Sequence, residues 1–443
     1  MQKHKVIREY GTIYPGEGID SFNEIFLDIQ SFDSLKNFIA ENNDPKIELD
    51  HAFSVHRKKG LDFIKVKNYV GVIETKQGTV IEILPKIFMP DGDEIEDADR
   101  IKQSKLVLFK MLKTLWNSPF RSIDQAHLKI SRMPIFEVFI SAFLTEVEKI
   151  LKKGIKHQYN TLETNEKFLK GKLKFSNQIR LNLVHKERFF VEYDEFRTDI
   201  PQNRILKSAL VYLQKKSKSP GNKAALHNYI QLLDEVGVCN NLDKDLAAIN
   251  GHNRLFSHYD TALKWAKVFL LGQSFTSYRG MHLNTAILFP MQSLFESYVS
   301  AQIRKNMSEV EISFQDRQHW LVTDKSFDGS KRKFRMRPDI VIRSENEQIV
   351  ADTKWKIINQ YQPSCNYNIT SADMYQLFAY GKNYQKDRPH TELLLIYPKS
   401  ELFDEELCLE YDSSLKLRVM PYDLTLDPSA ERIHLLQYFP QFQ

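Results

Sequence analysis

The segment from Arg337 to Lys356 constrains this chain more than any other. It reads Arg-Pro-Asp-Ile-Val-Ile-Arg-Ser-Glu-Asn-Glu-Gln-Ile-Val-Ala-Asp-Thr-Lys-Trp-Lys. Two short apolar runs, Ile340–Ile342 and Ile349–Ala351, flank a polar turn over 343–348, the pattern of a β-hairpin with a longer loop. The two-residue period of a strand puts Val350, Asp352 and Lys354 on one face and Ile349, Ala351 and Thr353 on the other. Asp339 opens the first run and falls beside Asp352. A hairpin apolar enough to be buried therefore carries two carboxylates and a lysine at one end. Such an end is an oxygen-rich site for a hard divalent cation, Mg2+ or Mn2+. The cation polarises a phosphoryl oxygen and lowers the pKa of a bound water. The lysine can orient that water and neutralise charge that develops in the transition state.

Pro-Asp, a spacer and Asp-x-Lys resemble the signature of the PD-(D/E)xK nuclease fold. The competing reading is a surface hairpin with an Asp–Lys ion pair, since Asp-x-Lys arises by chance in long chains. The Pro-Asp partner, the spacing and the apolar strands favour the nuclease. Two further pieces suit the same site. Residues 290–303 read as a helix with Pro290 in its first turn and Met291, Leu294, Phe295, Tyr298 and Val299 on its apolar face. Glu296 flanks that face, within reach of a metal held by the hairpin. Residues 373–380 read as another helix, on which Gln376 and Tyr380, four apart, share a face. Gln-hydrophobic-x-x-Tyr after Asp-x-Lys resembles the extra motif of the RecB-like branch of these nucleases. The catalytic set is thus Asp339, Asp352, Lys354 and Glu296, with Gln376 and Tyr380 in support. Asp339, Asp352, Glu296 and the Thr353 carbonyl are the expected metal ligands.

Charge adds a substrate-facing element. The net charge of +5 permits nucleic-acid binding without requiring it. Locally, Lys331, Arg332, Lys333, Arg335 and Arg337 run straight into the Pro-Asp motif. On a strand, Lys333, Arg335 and Arg337 form one cationic row suited to a DNA phosphate backbone. The rival reading is an edge strand whose charges deter aggregation.

At 443 residues the chain has room for two or three domains, and its composition is that of an ordinary soluble globular protein. Its apolar runs are too short to span a bilayer, and the N-terminus lacks a signal-peptide core, so the expected location is the cytoplasm, with no membrane partner. Cys239, Cys365 and Cys408 are scattered and form neither a metal pattern nor a disulfide framework. The expected fold class is α+β and multidomain. Residues 1–95 form a β-rich domain, with strands over 47–49, 63–66, 69–74 and 79–84 and a helix over 31–40. Residues 96–270, after the acidic stretch 89–99, are helix-rich. Residues 271–443 form an α/β nuclease domain of the restriction-endonuclease-like kind. The basic turns Arg57-Lys58-Lys59-Gly60 and Lys76-Gln77-Gly78 are either solvated turns or elements that project into a partner. There is no Walker A motif, so any nucleotide hydrolysis must come from another chain.

The chain as a whole resembles the McrC family, the nuclease subunits of McrBC-type modification-dependent restriction systems. The residues that carry the resemblance in the nuclease region are Leu294-Phe-Glu296, Arg337-Pro-Asp339 and Asp352-Thr-Lys354. Elsewhere they are Tyr69-Val-Gly-Val72 with Glu82-Ile-Leu-Pro-Lys86, Lys170-Gly-Lys172, and Glu192-Tyr-Asp-Glu195 followed by Pro201-Gln-Asn-Arg-Ile205. The resemblance implies a defence nuclease that cuts double-stranded DNA bearing a modification such as 5-methylcytosine. It also implies a partner, a McrB-like hexameric AAA+ GTPase that recognises the modified DNA. The N-terminal domain would dock on that ring near its central pore and stimulate it, and cutting would follow stalled translocation. Arg57, Lys58, Lys59, Lys76 and Gln77 are the candidate partner contacts. Two other readings compete: a non-catalytic adaptor that activates an AAA+ motor, and a stand-alone RecB-like DNA exonuclease. Intact acidic and lysine positions weigh against the first. The large regions ahead of the nuclease, with no motor in the chain, weigh against the second.

Overall fold

A computed structural model describes residues 4–41, 52–86, 97–115, 118–123, 133–249, 254–271, 283–307, 310–326, 331–388 and 390–439. The expected strand over 47–49 and most of the acidic stretch lie outside these residues. The architecture is mixed α+β, divided into two compact units. One holds Met1–Arg121, Gln125–Ile135 and Ser274–Gln443; the other holds Ser122–Asp124 and Phe136–Gln273.

The first unit begins with two four-stranded sheets. In one, strand order is Glu24–Leu27, Thr12–Pro15, Leu61–Val66, Phe53–Lys58. In the other it is His4–Arg8, Val80–Leu84, Tyr69–Thr75, Leu283–Pro290. Helix Ile29–Glu41 supplies Phe32, Leu35 and Phe38 to a core shared with Ile7, Ile13, Ile25, Ile64, Ile73 and Leu288. The helix begins earlier than the sequence suggests, because the Asp28 side chain accepts the Ser31 N–H at 2.8 Å. Leu283–Pro290 pairs antiparallel with Tyr69–Thr75, so a strand drawn from the expected third region completes a sheet of the first. Gly71 makes that pairing possible. Its φ is +137°, and a Cβ there would meet the Ile287 carbonyl oxygen at 2.0 Å.

The same unit contains a six-stranded mixed sheet. Its order is Glu311–Phe314, Ile340–Arg343, Glu347–Thr353, His390–Pro398, Leu415–Tyr422, Leu407–Asp412. The central pairs, Glu347–Thr353 with His390–Pro398 and His390–Pro398 with Leu415–Tyr422, are parallel. The others are antiparallel. Parallel neighbours need a crossover, and helix Ser371–Tyr384 lies on it. Leu377, Tyr380 and Tyr384 of that helix pack on Val341, Val350, Leu393, Leu395, Leu417 and Val419 of the sheet. Helix Met291–Asn306 places the Phe295 ring 5.4 Å from Trp355 and 6.1 Å from Tyr422.

The second unit is helical, with a small sheet. Helices Ile135–Lys153, Pro201–Lys216, Pro220–Leu232, Leu242–Ala248 and Asp260–Leu271 accompany strands Gln158–Glu166, Phe189–Arg197 and Lys172–Leu173. Helix Phe175–Asn182 follows strand Lys172–Leu173. Motif residues here do structural work. Gly171 (φ +72°) lies where a Cβ would meet the Glu192 carbonyl at 2.4 Å. Asn203 donates to the Lys156 and Thr198 carbonyls, and Arg204 forks onto Asp245.

Candidate active site

The hairpin sets the site. Ile340 stands opposite Ala351, so the next step outward brings Asp339 to the strand end that carries Asp352. Asp339 Oδ2 accepts hydrogen bonds from the Thr353 backbone N–H and hydroxyl, both at 2.7 Å. Asp352 shares the face of Val350, as the alternation requires, and forms an ion pair with Lys354. Lys354 Nζ donates to Gln376 Oε1 at 3.0 Å, and Gln376 Nε2 donates to the Tyr380 hydroxyl at 2.8 Å. Helix Ser371–Tyr384 is positioned for this by the Thr370 cap on the Asp373 N–H and by Leu377 in the core. A chain of side chains thus runs from Asp352 through Lys354 and Gln376 to Tyr380.

The electrostatics follow from burial. Asp352 is 1% exposed. Desolvation, followed by the charge of Asp339, pushes its carboxyl up to about 7, although Lys354 pulls the other way. Burial raises Asp339 as well, against the two hydrogen bonds from Thr353. Burial and then Asp339 raise Glu296. For Lys354, burial opposes the charged form, but the carboxylates of Asp352 and Asp339 outweigh it and hold the ammonium charged. Asp339 thus raises both Asp352 and Glu296, while Lys354 pulls all three acids the other way and Arg337 pulls Asp339 and Glu296. Asp352 Oδ2 is buried, and the Lys354 ammonium faces it. Buried carboxylates crowded at one strand end are the strongest sign of a cation site, because burial penalises their charge unless cations face them.

Among the described residues, no group of three or more His, Cys, Asp or Glu side chains is arranged to hold a metal. Two carboxylates are enough for Mg2+, which keeps waters and takes substrate phosphate oxygens as its remaining ligands. The pair Asp339 and Asp352 fits that mode. The Thr353 carbonyl already accepts a hydrogen bond from Gln292 Nε2 at 2.5 Å, which leaves one lone pair. Glu296 Oε1 accepts from Gln315 Nε2 at 2.6 Å, in the outer part of the cluster.

Two glutamines that the sequence did not single out organise this site. Strand Ile340–Arg343 offers no backbone partner beyond Ala351. On that edge the Gln292 amide donates to the Thr353 carbonyl and accepts the Trp355 N–H at 2.8 Å. It clamps the backbone on both sides of Lys354, as a neighbouring peptide unit would. On the other edge Lys354 N–H donates to the Ile396 carbonyl at 2.9 Å. Gln315, with φ +48°, donates its backbone N–H to the Asp339 carbonyl at 2.8 Å and accepts from Arg337. A lone glutamine in a sequence carries no periodic or spacing signal. Only the i,i+4 relation of Gln292 to Glu296 hints at a shared face.

The cationic row is arranged differently from expectation. Phe334 has φ +58°, which interrupts the alternation between Lys333 and Arg335, and the strand ends at Arg335. Lys333 pairs with Asp324 at 2.6 Å, Arg335 lies 5.0 Å from the Trp320 ring centroid, and Arg337 reaches Gln315. Arg57 and Lys58 end a strand instead of forming a loop. The turn proper is the two-residue Lys59-Gly60, with φ +51° and +85°. Lys76 and Gln77 do lie in the turn between Tyr69–Thr75 and Val80–Leu84.

A family model described as McrBC 5-methylcytosine restriction system component matches residues 64–398. No curated protein sequence matches the chain. Among solved structures, a chain of the refined half-complex of Thermococcus gammatolerans McrB AAA+ hexamers with bound McrC superposes with a TM-score of 0.68 at 18% identity. The match covers 98% of this chain and 100% of that one. A chain of the Thermococcus gammatolerans McrBC complex gives a TM-score of 0.50 at 21% identity, over 70% of this chain and 89% of that one. At these identities the likeness is one of fold.

Proposed function

The chain belongs to the family of McrBC 5-methylcytosine restriction system components, and from that premise we propose that it is the DNA-cutting subunit of such a system. In this reading it is an endonuclease of the PD-(D/E)xK kind, dependent on Mg2+ or Mn2+. It hydrolyses phosphodiester bonds of modified or foreign double-stranded DNA in the cytoplasm. Residues 271–443 carry the chemistry, residues 1–95 dock on the partner, and 96–270 lie between them in sequence. The partner is a hexameric McrB-like AAA+ GTPase, which the chain stimulates. The solved relative in which McrC is bound to McrB hexamers supports that choice.

The observation that carries the reading is the buried Asp339–Asp352–Lys354 cluster, whose two carboxylates are both raised by burial. Asp339 and Asp352 would hold the divalent ion, with the remaining lone pair of the Thr353 carbonyl available and Glu296 in support. Bound there, the ion supplies Lewis-acid polarisation of the scissile phosphate and a more acidic water. Lys354, kept charged by its carboxylates, orients the attacking water and faces the charge that builds on the phosphoryl oxygens. Gln376 aims the ammonium by accepting one of its hydrogens, and Tyr380 holds Gln376 in turn.

The test is cleavage of methylated and unmethylated plasmid by the purified chain with Mg2+. It is run with and without the AAA+ partner and GTP, with Asp352→Ala alongside. Cutting that needs the motor, GTP and wild-type Asp352 is the expected result. Stimulated GTP hydrolysis with no cutting of any modified DNA would leave an adaptor. Cutting from DNA ends without a motor would leave an exonuclease.

A further inference from the structure

Beside the carboxylate cluster runs a cleft of about 670 Å3. One wall is a face of helix Met291–Asn306, with Glu296 at the end nearest Asp339, then Ser297 and Ser300, then Arg304 and Lys305. The facing wall carries Lys113 and Arg121, and Gln315 lies where the cleft meets the site. Glu296 is the only acid among the described lining residues; the four cations and the hydroxyls make the rest of the cleft a surface for anions. The Arg304 guanidinium stacks 4.4 Å from the Phe314 ring centroid, which fixes the plane of its donors.

The spacing gives this cleft a direction. Glu296, Ser300 and Arg304 follow at intervals of four residues along one helix face. At 1.5 Å per residue, Arg304 lies about 12 Å along the axis from Glu296. That is the axial rise of roughly three to four base pairs of duplex, at 3.4 Å each. An extended polyanion whose one phosphate lies at Asp339 and Asp352 therefore meets paired cations a few phosphates away. We infer that this cleft is the track of the DNA backbone, with Arg304 and Lys305 on one side and Lys113 and Arg121 on the other gripping the phosphates that flank the scissile one. The inference rests on the nuclease reading of the adjoining cluster. It identifies cations outside the basic segment that precedes Asp339.

The experiment measures affinity of the full chain for a labelled duplex, with Ca2+ replacing Mg2+ to prevent cutting, across a salt series of about 50 to 200 mM. Each phosphate contact removed lowers the slope of log K against log salt by roughly one. Arg304→Ala with Lys305→Ala should flatten it by about two, weaken binding at least tenfold, and raise KM for cleavage while kcat at saturating DNA holds. Because Arg304 packs on Phe314, Lys113→Ala with Arg121→Ala from the facing wall is the second variant and should act likewise. Melting temperatures are recorded for both. An unchanged slope and KM in both variants overturns the proposal. So does a slope that resides in Lys333→Ala with Arg335→Ala, or a wild-type chain that binds no DNA. If Asp352→Ala stops cutting but keeps the wild-type slope, groove and catalyst are separate, as expected. If the wild-type chain binds DNA through the groove yet cuts nothing even with its AAA+ partner and GTP, the nuclease reading fails and the groove stands.

Discussion

Two buried carboxylates, each on a strand of a sheet, meet opposite fates in this molecule. Glu82 is 0% exposed and surrounded by donors. Lys105 Nζ lies 2.8 Å from it, the Ile135 N–H donates to it at 2.5 Å, and His4 approaches at 3.2 Å. Burial works to raise its pKa, yet His4 and Lys105 outweigh that and hold it below the usual glutamate range. Asp352 is equally buried, but its neighbours are one lysine and another acid, and it is pushed up to about 7. Glu82 joins elements distant in sequence and is held by Lys105 and His4. Asp352 faces a lysine but also a second acid, so burial and Asp339 together disfavour its charged form. Stability requires the first arrangement, and a site that must take up a cation and a phosphate requires the second.

The largest effect that would break this contrast is catalytic. Asp352→Ala should lower cleavage by about 10^3-fold or more, several kcal/mol of transition-state stabilisation, with melting temperature and partner binding held. Undiminished cutting by that variant would sink the assignment of Asp352. Glu82→Gln should behave the other way. It leaves Lys105 buried against a neutral amide, and removing one member of a buried pair costs about 3 kcal/mol. Denaturant melts read that loss; cleavage per folded molecule should stay within about twofold. A Glu82→Gln chain that melts like the wild type would show that its ion pairs are dispensable.

The contrast also separates what could be read from the sequence from what could not. The hairpin of Asp339 and Asp352 was legible because its period and turn are local, and so was helix Ser371–Tyr384. The order of Lys354, Gln376 and Tyr380 along the chain was legible through a family resemblance, and the structure brings them into one hydrogen-bonded series. The pairing of Leu283–Pro290 with Tyr69–Thr75 was not, because about two hundred residues separate the strands and no local pattern encodes a register. The short, wholly apolar run over 286–289 also suits helix and strand equally. Gln292 and Gln315 were invisible because their roles depend on which backbone groups the fold leaves without a ladder partner. The backbone course through 333–337 was not legible either, because Phe334 adopts positive φ, which no alternation pattern anticipates.

A smaller effect sharpens the comparison through pH. Glu9, wholly buried under Trp355 and the Lys86 N–H, is raised by burial to about 8, and Asp352 to about 7. Each folded value exceeds its ordinary value of 4.5 or 3.8, so the folded state holds these protons more tightly than the unfolded chain does. Below both ordinary values the two states bind protons alike and nothing is lost. As pH rises from about 4 towards 8 the unfolded chain releases protons first, and stability falls by up to about 1.4 kcal/mol per pH unit per group. Asp352→Asn should flatten that fall below pH 7, and Glu9→Gln the part that extends to pH 8. Glu82→Gln should do neither, since its folded value is depressed. Mg2+ should raise the melting temperature more at pH 8 than at pH 6, because protons compete with the cation at Asp352.

The smallest expected effect concerns the clamp around Lys354. Gln292 bonds the Thr353 carbonyl and the Trp355 N–H, and so fixes the backbone between them without touching the lysine head. Outer partners that orient a reactive group typically contribute 10- to 100-fold in activity or metal affinity. Gln292→Ala should fall near the lower end, about tenfold in kcat, because Ile396 still holds Lys354 N–H from the other edge. The half-saturating Mn2+ concentration, read by calorimetry, should rise with it, since the Thr353 carbonyl loses its fixed direction. Gln292→Glu makes the sharper test: it keeps the acceptor for Trp355 N–H and sets a carboxylate against the Thr353 carbonyl. It should therefore be at least as impaired as alanine, whereas a role in packing alone predicts that the isosteric glutamate is the milder change.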